Sequence, residues 1–429
     1  MKAKTLAQRV GVGGAVGVVC GVASALFLAA LERATDFRNV HEEIVYCLPL
    51  AGIIIGLAYE RWGKAISGGN NLVLDSMHAA GAAGERVDGS AQLPIRMAPM
   101  VLVGTVLTHL FGGSAGREGT AVQMGASLAD EISHRLRVSK ETRRQLLAAG
   151  IAGGFGSVFG TPVAGAIFGL EVACIGHVEY RALLPALVAS VVGDYVTRHL
   201  GVVHTAYPAS PYVALTVSVF AKLCIIALAM ALAAVAFIEL TRGLKRFLER
   251  RIKRLPLRMF AGGLTVVIMW KLLGTSDYLG LGVPMILRAF SDPSLPAYAF
   301  AAKLVLTAVT LASGFVGGEV TPLFFIGATL GSVVARSLGL PIALGASVGL
   351  AAVFGAAANT PIALSIMAVE LFGGFVFPHV VIVSALAYLL SGHRGIYSSQ
   401  RIARRKHGGK PFDKTITLAE HEARSREPR

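Results

Sequence analysis

The chain has 429 residues, 54% of them apolar and only 15% charged, with a mean hydropathy of +0.64; a soluble domain carries about 25% charged residues. Glycine contributes 50 residues against an average usage of about 7%, and Gly-rich, strongly apolar chains are those whose helices pack closely inside a bilayer. This composition excludes a secreted disulfide scaffold, a disordered tail protein and a typical cytosolic enzyme.

The chain opens with Lys2, Lys4 and Arg9, followed by an apolar run from Val10 to Leu31. The pattern mimics a signal peptide. The run is nevertheless long enough to span, about 20 residues being needed, and further spans follow, so the sequence predicts a first transmembrane helix. Gly13, Gly17 and Gly21 recur every four residues, which suits a closely packed helix face. A mixed-charge connection from Glu32 to Glu43 leads to Ile44–Tyr59, apolar but short or broken. The turns Ser67-Gly-Gly-Asn-Asn71 and Gly112-Gly-Ser-Ala-Gly-Arg-Glu-Gly-Thr120 each run into an apolar, helix-like stretch, the second into Ala121–Leu128, too short to cross alone.

A basic patch follows at Arg135, Arg137, Lys140, Arg143 and Arg144. Val213–Ile238 is a full span that continues, as one long tilted helix, into Arg242, Lys245, Arg246, Arg250, Arg251, Lys253, Arg254 and Arg258. Gly317-Gly-Glu-Val-Thr-Pro322 is a third Gly-rich turn, and Leu323–Val334 and Thr360–Leu371 are again short or broken. After Gly392 comes a basic tail with Arg394, Arg401, Arg404, Arg405, Lys406 and Lys410, too short for a further folded domain.

The 40 Lys+Arg against 25 Asp+Glu give a net charge of +15, a balance that would also suit nucleic acid. Clustering of the positive residues between apolar runs argues against a nucleic-acid partner. It points instead to a multi-pass membrane protein with both termini and these patches in the cytoplasm. Cys20, Cys47, Cys174 and Cys224 are scattered through apolar stretches, with neither disulfide nor zinc spacing. The common hydrolase and NTPase motifs are absent, and no metal, cofactor or enzymatic activity is expected.

An internal repeat organises the chain. Gly160-Thr-Pro-Val-Ala-Gly-Ala-Ile-Phe-Gly-Leu-Glu171 matches Asn359-Thr-Pro-Ile-Ala-Leu-Ser-Ile-Met-Ala-Val-Glu370. Gly116-Arg-Glu-Gly-Thr120 with Gly125-Ala-Ser-Leu128 matches Gly318-Glu-Val-Thr-Pro322 with Gly327-Ala-Thr-Leu330, and Asn70–Leu74 aligns more weakly with Val283–Leu287. Two structural halves follow, 1–205 and 206–400, with the tail at 401–429. Paired broken helices in the two halves point to a binding site where inverted repeats meet, since unwound backbone at membrane depth needs protein or a watery cavity around it.

At a helix start the free N–H groups and the positive dipole end form an anion site without a fixed cation. Pro322 fits such a start, its missing N–H costing nothing there. Glu118 lies in one of these turns. As an anion it can occupy the place meant for a substrate anion, and protonation would free that place, coupling anion to proton movement; the alternative is a capping or ion-paired Glu beside Arg117. Glu319 in the mirror turn is either a second proton carrier or a partner for Arg117. Glu171 and Glu370 end apolar helices at equivalent positions, where structural pairing is favoured. Asn70 and Asn71 offer amide groups at a first turn, as ligands or as caps.

At these residues the chain resembles the CLC family of anion channels and proton-coupled anion exchangers, over roughly residues 10 to 400. GREGT at 116–120 is similar to that family's GREGP element, which makes Glu118 its external gating glutamate. GEVTP at 318–322 resembles GxFxP, SGGNN at 67–71 stands where the family has GSGIP, and Tyr397 in Gly395-Ile-Tyr397 matches the tyrosine on the central anion. Asn70 takes the place of the central serine, Val320 of phenylalanine, Thr120 of proline, and Val172 of an internal glutamate found in chloride/proton exchangers. With Glu319 and Thr321, these departures resemble the fluoride-selective branch.

The resemblance implies an all-α, polytopic membrane protein of inverted repeats with broken and re-entrant helices, working as a homodimer in the lipid bilayer. It implies a fluoride/proton antiporter exporting fluoride on the inward proton gradient, with Glu118 and Glu319 on the proton route. The anion would be held by Asn70, Asn71, Gly116, Gly119, Val320, Thr321 and Tyr397. Fluoride is small, strongly hydrated and a strong acceptor, so its site must replace water with several good donors; donor counting alone does not exclude chloride. A chloride/proton exchanger or passive chloride channel on the same fold is the nearest alternative. A remote one reads the four carboxylates as cation ligands of a cation-coupled solute transporter, and a membrane enzyme or scaffold is remoter still.

Overall fold

The computed structural model describes residues 3–79, 93–408 and 415–426. Lys2, the Lys4 side chain and Lys410 of the basic patches, and parts of the 401–429 tail, lie outside the described residues. The described chain folds into helices that come in two series. The first runs α1 (Ala3–Val40), α2 (Leu48–Trp62), α3 (Asn70–Ala79), α4 (Met97–Leu110), α5 (Glu118–Arg135), α6 (Lys140–Phe159), α7 (Pro162–Glu171) and α8 (Leu183–His199). The second repeats the order as α9 (Val217–Arg251), α10 (Leu255–Leu273), α11 (Val283–Arg288), α12 (Ala299–Ala312), α13 (Val320–Ser337), α14 (Ile342–Ala358), α15 (Pro361–Phe372) and α16 (Phe377–Leu390), and α17 (Leu418–Arg426) follows in the tail.

Local chemistry explains why the two series match. α6 ends in a left-handed residue, Gly160 with φ 72°, and α14 ends in Asn359 with φ 58°. Glycine reaches that region freely and Asn is one of the few side chains that tolerates it. In both copies a Thr-Pro pair follows, and Pro162 and Pro361 start α7 and α15 with the fixed φ and missing N–H that a first helical residue allows. The long helix pairs also meet alike: a methyl on Gly125 would run into the Gly150 carbonyl across α5 and α6, and one on Gly327 into the Gly349 carbonyl across α13 and α14. Such contact between backbones is what small residues permit in a bilayer.

The equivalent helices α7 and α15 run antiparallel, and they cap each other. Glu171 at the end of α7 accepts hydrogen bonds from the N–H groups of Ile362 (3.2 Å) and Ala363 (2.8 Å) at the start of α15. Glu370 near the end of α15 accepts from Val163 (3.0 Å) and Ala164 (2.8 Å) at the start of α7. Each carboxylate satisfies orphan donors and complements a helix dipole. This reciprocity is the pairing anticipated for the two glutamates, and it shows the repeats inverted with respect to one another.

Among the described residues, five helical stretches are long and apolar enough to cross a membrane: Arg9–Val40, Glu42–Trp62, Val217–Arg251, Leu255–Leu273 and Val320–Ser337. Two of these correct the sequence reading. Ile44–Tyr59 is not too short, because a 3-10 turn over Glu42–Cys47 runs directly into α2. Leu323–Val334 belongs to the 18-residue α13, whose first and last turns lie beyond the apolar run. α5 likewise has 18 residues, gaining its length from the polar turns after Leu128. Other helices stay short, such as the 12-residue α15, and are enclosed by neighbours.

The tail is more ordered than a solvated basic strand. β1 (Cys174–Ile175), β2 (Arg401–Ile402) and β3 (Ile416–Thr417) form one small sheet in that order, β2 parallel to β1 and antiparallel to β3. Ile175, Ile402 and Leu418 bury together beneath it. Gln400 donates to the carbonyls of Val172 (2.8 Å) and Ala358 (3.0 Å). Arg242 of α9 joins Glu422 of α17 to the carbonyl of Gly395. The backbone on either side of Tyr397 is thereby tied to the inverted helices and to the tail.

Removing one reciprocal cap leaves buried N–H groups unsatisfied. Glu171→Ala is expected to cost about 1–2 kcal/mol, read as a lower thermal unfolding midpoint in detergent. Glu171→Gln, whose amide oxygen still accepts, should lose clearly less. Equal midpoints for wild type and the alanine variant would contradict the capping role.

Candidate functional site

Two helix starts meet in the interior. The N–H of Gly116 donates to the carbonyl of Gly318 (2.6 Å) and that of Gly318 to Gly116 (2.8 Å), an antiparallel bridge between the turns that open α5 and α13. Glycine is required there by close approach. A Cβ on Gly116 would stand 3.0 Å from the Thr321 nitrogen, and one on Gly119 3.0 Å from Asn70 Nδ2 and 3.1 Å from the Gly318 Cα.

Glu118, the first residue of α5, is fully buried. Its carboxylate lies over the start of α13: the Thr321 hydroxyl reaches both carboxylate oxygens at 2.6 Å, and the Thr321 N–H donates to Oε2 at 3.1 Å. The Arg117 N–H donates to the same oxygen at 3.2 Å, and Arg117 Nε stands 3.4 Å from Oε1. An acidic side chain from one repeat thus fills the anion position that the other repeat's helix start creates. Glu118 thus caps a helix start and pairs with Arg117 at once in this geometry.

Glu319 is the N-cap residue of α13. Its Oε2 is buried without a hydrogen-bond partner and lies 3.8 Å from where a Cβ on Gly119 would be. Among the described residues it makes no ion pair with Arg117, which pairs with Glu118 instead. That removes the partner-for-Arg117 alternative. Val320, buried in the first turn of α13, packs into the apolar core.

Beside these turns, Asn70, Val122, Val172 and Tyr397 help to line a cavity with about 10 Å³ of free space, near the minimum for one water molecule. Its polar groups are the Asn70 amide and the Tyr397 hydroxyl; the remaining walls are apolar. Asn70 Oδ1 is buried and unpaired. Tyr397 lies close enough to Glu118 and Glu319 to sense both charges. A single small ion fits such a space and an organic solute does not, which argues against the solute-transporter alternative.

Asn71 is not in this lining. Its Oδ1 accepts from the Ser399 N–H at 3.0 Å, and the Ser399 hydroxyl donates to Asp75 at 3.0 Å. One turn of α3 therefore sends Asn70 toward the cavity and Asn71 toward the tail. Asn71 is corrected from an anion ligand to a scaffold residue.

Sequence reading missed the frame that holds the Gly112–Arg117 turn. His109, fully buried, stands 2.8 Å from the Thr105 carbonyl and 2.9 Å from that of Ala115 through its two ring nitrogens. Thr105 and Thr120 share a hydroxyl hydrogen bond of 2.7 Å, and Ser114 and Thr307 one of 2.9 Å. Arg38 donates to the His109 carbonyl at 2.9 Å. Buried Lys303 donates to the carbonyls of Gly280 (2.6 Å) and Tyr278 (3.1 Å). The signal was available: polar residues inside apolar runs, with Thr105 and His109 four apart on one helix face.

Residues 51–392 match the model of a family described as voltage gated chloride channel. A "Chloride/fluoride channel protein" of Pseudomonas syringae pv. tomato is 45% identical over 423 residues, covering 97% of this chain and 91% of that one. The solved structure of a CLC-type fluoride/proton antiporter superposes with a TM-score of 0.88 at 36% identity, covering 94% of this chain and all of the other. A slow cyanobacterial Cl-/H+ antiporter shares the fold, with a TM-score of 0.76 at 19% identity over 89% of this chain and 94% of its own. On this match of sequence and fold, the chain belongs to the voltage gated chloride channel (CLC) family, as a multi-pass membrane transport protein and not an enzyme.

Proposed function

We propose that this protein is a fluoride/proton antiporter of the cell inner membrane that exports fluoride on the inward proton gradient. The observation that carries the proposal is the Glu118 carboxylate resting on the N–H and hydroxyl of Thr321 at the start of α13. Further support comes from similarity to the Pseudomonas chloride/fluoride channel protein and to the fluoride/proton antiporter structure. The relative's name includes both ions, so a chloride/proton exchanger or chloride channel is the competing reading.

In the proposed cycle, ionised Glu118 blocks the anion position. Protonation cancels its charge, weakens its hold on the dipole and on Thr321, and lets an anion take its place. Deprotonation on the other side returns the carboxylate and expels the anion. The Thr321 hydroxyl and N–H, the Asn70 amide and the Tyr397 hydroxyl are the donors that replace fluoride's water. Gly116 and Gly119 let the two helix starts and Asn70 approach. Val172 lines the cavity at the position that resembles the internal glutamate of chloride/proton exchangers, so one route past Glu118 carries both ions, Glu118 taking the proton, with Glu319 as the neighbouring carboxyl on it.

The pathway lies at the seam of repeats 1–205 and 206–400. Basic patches orient both termini to the cytoplasm, and family membership supports a homodimer.

Glu118→Gln cannot release a proton. In proteoliposomes with a fluoride gradient it should move no protons uphill, followed by external pH; a variant that still pumps protons would overturn the role of Glu118. Thr321→Val removes one hydrogen bond to a charged group, worth about 1.5–3 kcal/mol, so fluoride turnover should fall roughly 10- to 100-fold. Thr321→Ser should keep most of the rate. Wild-type turnover in the valine variant would remove Thr321 from the anion path.

A further inference from the structure

We propose that the groove between α2 and α4 is a binding site for one anionic phospholipid, with an acyl chain along the groove and the headgroup phosphate on Arg96. The groove has about 470 Å³ of free space. The two helices run antiparallel along it. The Tyr59 hydroxyl donates to the Met100 carbonyl at 3.2 Å, which places Trp62, the last residue of α2, opposite Arg96, the N-cap residue of α4. Ile54, Val103 and Leu107 line the other end.

Chemistry divides this groove along its length. The apolar end opens outward, with Ile54 66% and Val103 53% exposed. Its walls offer no donor or acceptor, because the Tyr59 hydroxyl is already used, and an apolar space of this kind does not hold ordered water. The other end carries exposed Trp62, a residue suited to the headgroup level, and a group of cations. Arg61, Lys64 and Arg96 are exposed and have no side-chain partner among the described residues. Basic groups at the interfacial end of a groove between membrane helices bind anionic headgroups. A soluble partner would face the wrong surface, since the apolar end lies at hydrocarbon depth between two helices of the membrane domain.

Occupancy reaches the anion site through α4. Gly104 lines the groove, and a Cβ on it would stand 2.8 Å from Val316, immediately before Gly317-Gly318-Glu319. Thr105, the next residue, holds Thr120. A lipid seated against α4 therefore presses on the frame of both helix starts.

Native mass spectrometry of the purified protein, titrated with phosphatidylglycerol or phosphatidylcholine, tests the site without reference to transport. Wild type should prefer the anionic lipid. Arg96→Gln should lower phosphatidylglycerol affinity about fivefold, the effect of one basic residue near a headgroup, and lower that of phosphatidylcholine, whose ammonium already offsets its phosphate, clearly less. Val103→Trp, a filling change at an exposed position, should displace both lipids. Equal binding of the two lipids to wild type, an unchanged preference in the Arg96 variant, or undiminished binding in the Val103 variant would each overturn the proposal.

Discussion

Two helices that begin head to head inside an apolar protein leave their first N–H groups pointing at each other with positive dipole ends aligned. Water is scarce there, so an anion must be supplied. In this chain Glu118 supplies it, reaching from α5 to the start of α13, while the Gly116–Gly318 bridge sets how near the two starts come. The groups around them follow from this constraint: Asn70 and Glu319 carry unpaired buried oxygens toward the same place, and Tyr397 closes it from the tail side. The proposed function rests on this double position, in which a carboxylate that is part of the fold occupies the place of an anion.

The same interaction recurs in a fixed form. Glu171 and Glu370 cap opposite helix starts with two N–H donors each. Glu118 takes a single backbone donor from α13 together with a hydroxyl. In the proposed cycle, that contrast separates a carboxylate built to stay from one that leaves. The tail extends the scaffold: Gln400, Asn71 and Arg242 hold the backbone around Tyr397 from three sides, so a hydroxyl on a short loop is positioned as firmly as one on a helix.

Much of this was legible in the sequence. The Gly-Thr-Pro and Asn-Thr-Pro pair marks left-handed helix ends followed by Pro-started helices, because few residues meet those backbone demands. Gly116-Arg-Glu-Gly-Thr120 marks a helix start with an acid in it. Other features required three-dimensional placement. Asn70 and Asn71 are chemically identical neighbours, separated only by the turn of α3. Arg117 chooses Glu118 over Glu319 by geometry that charge alone does not reveal. Ile44–Tyr59 looked too short because a 3-10 turn extends it, and the tail's sheet depends on two-residue strands whose partner lies at Cys174–Ile175.

The proposed function links proton and fluoride movements through one displaceable carboxylate. Ion efflux from liposomes containing the wild-type protein, comparing fluoride with chloride while external pH is followed, tests it most directly. The account predicts that a fluoride gradient drives protons uphill and that chloride moves much more slowly. Equal fluxes of the two halides with no proton movement would contradict both the substrate and the coupling.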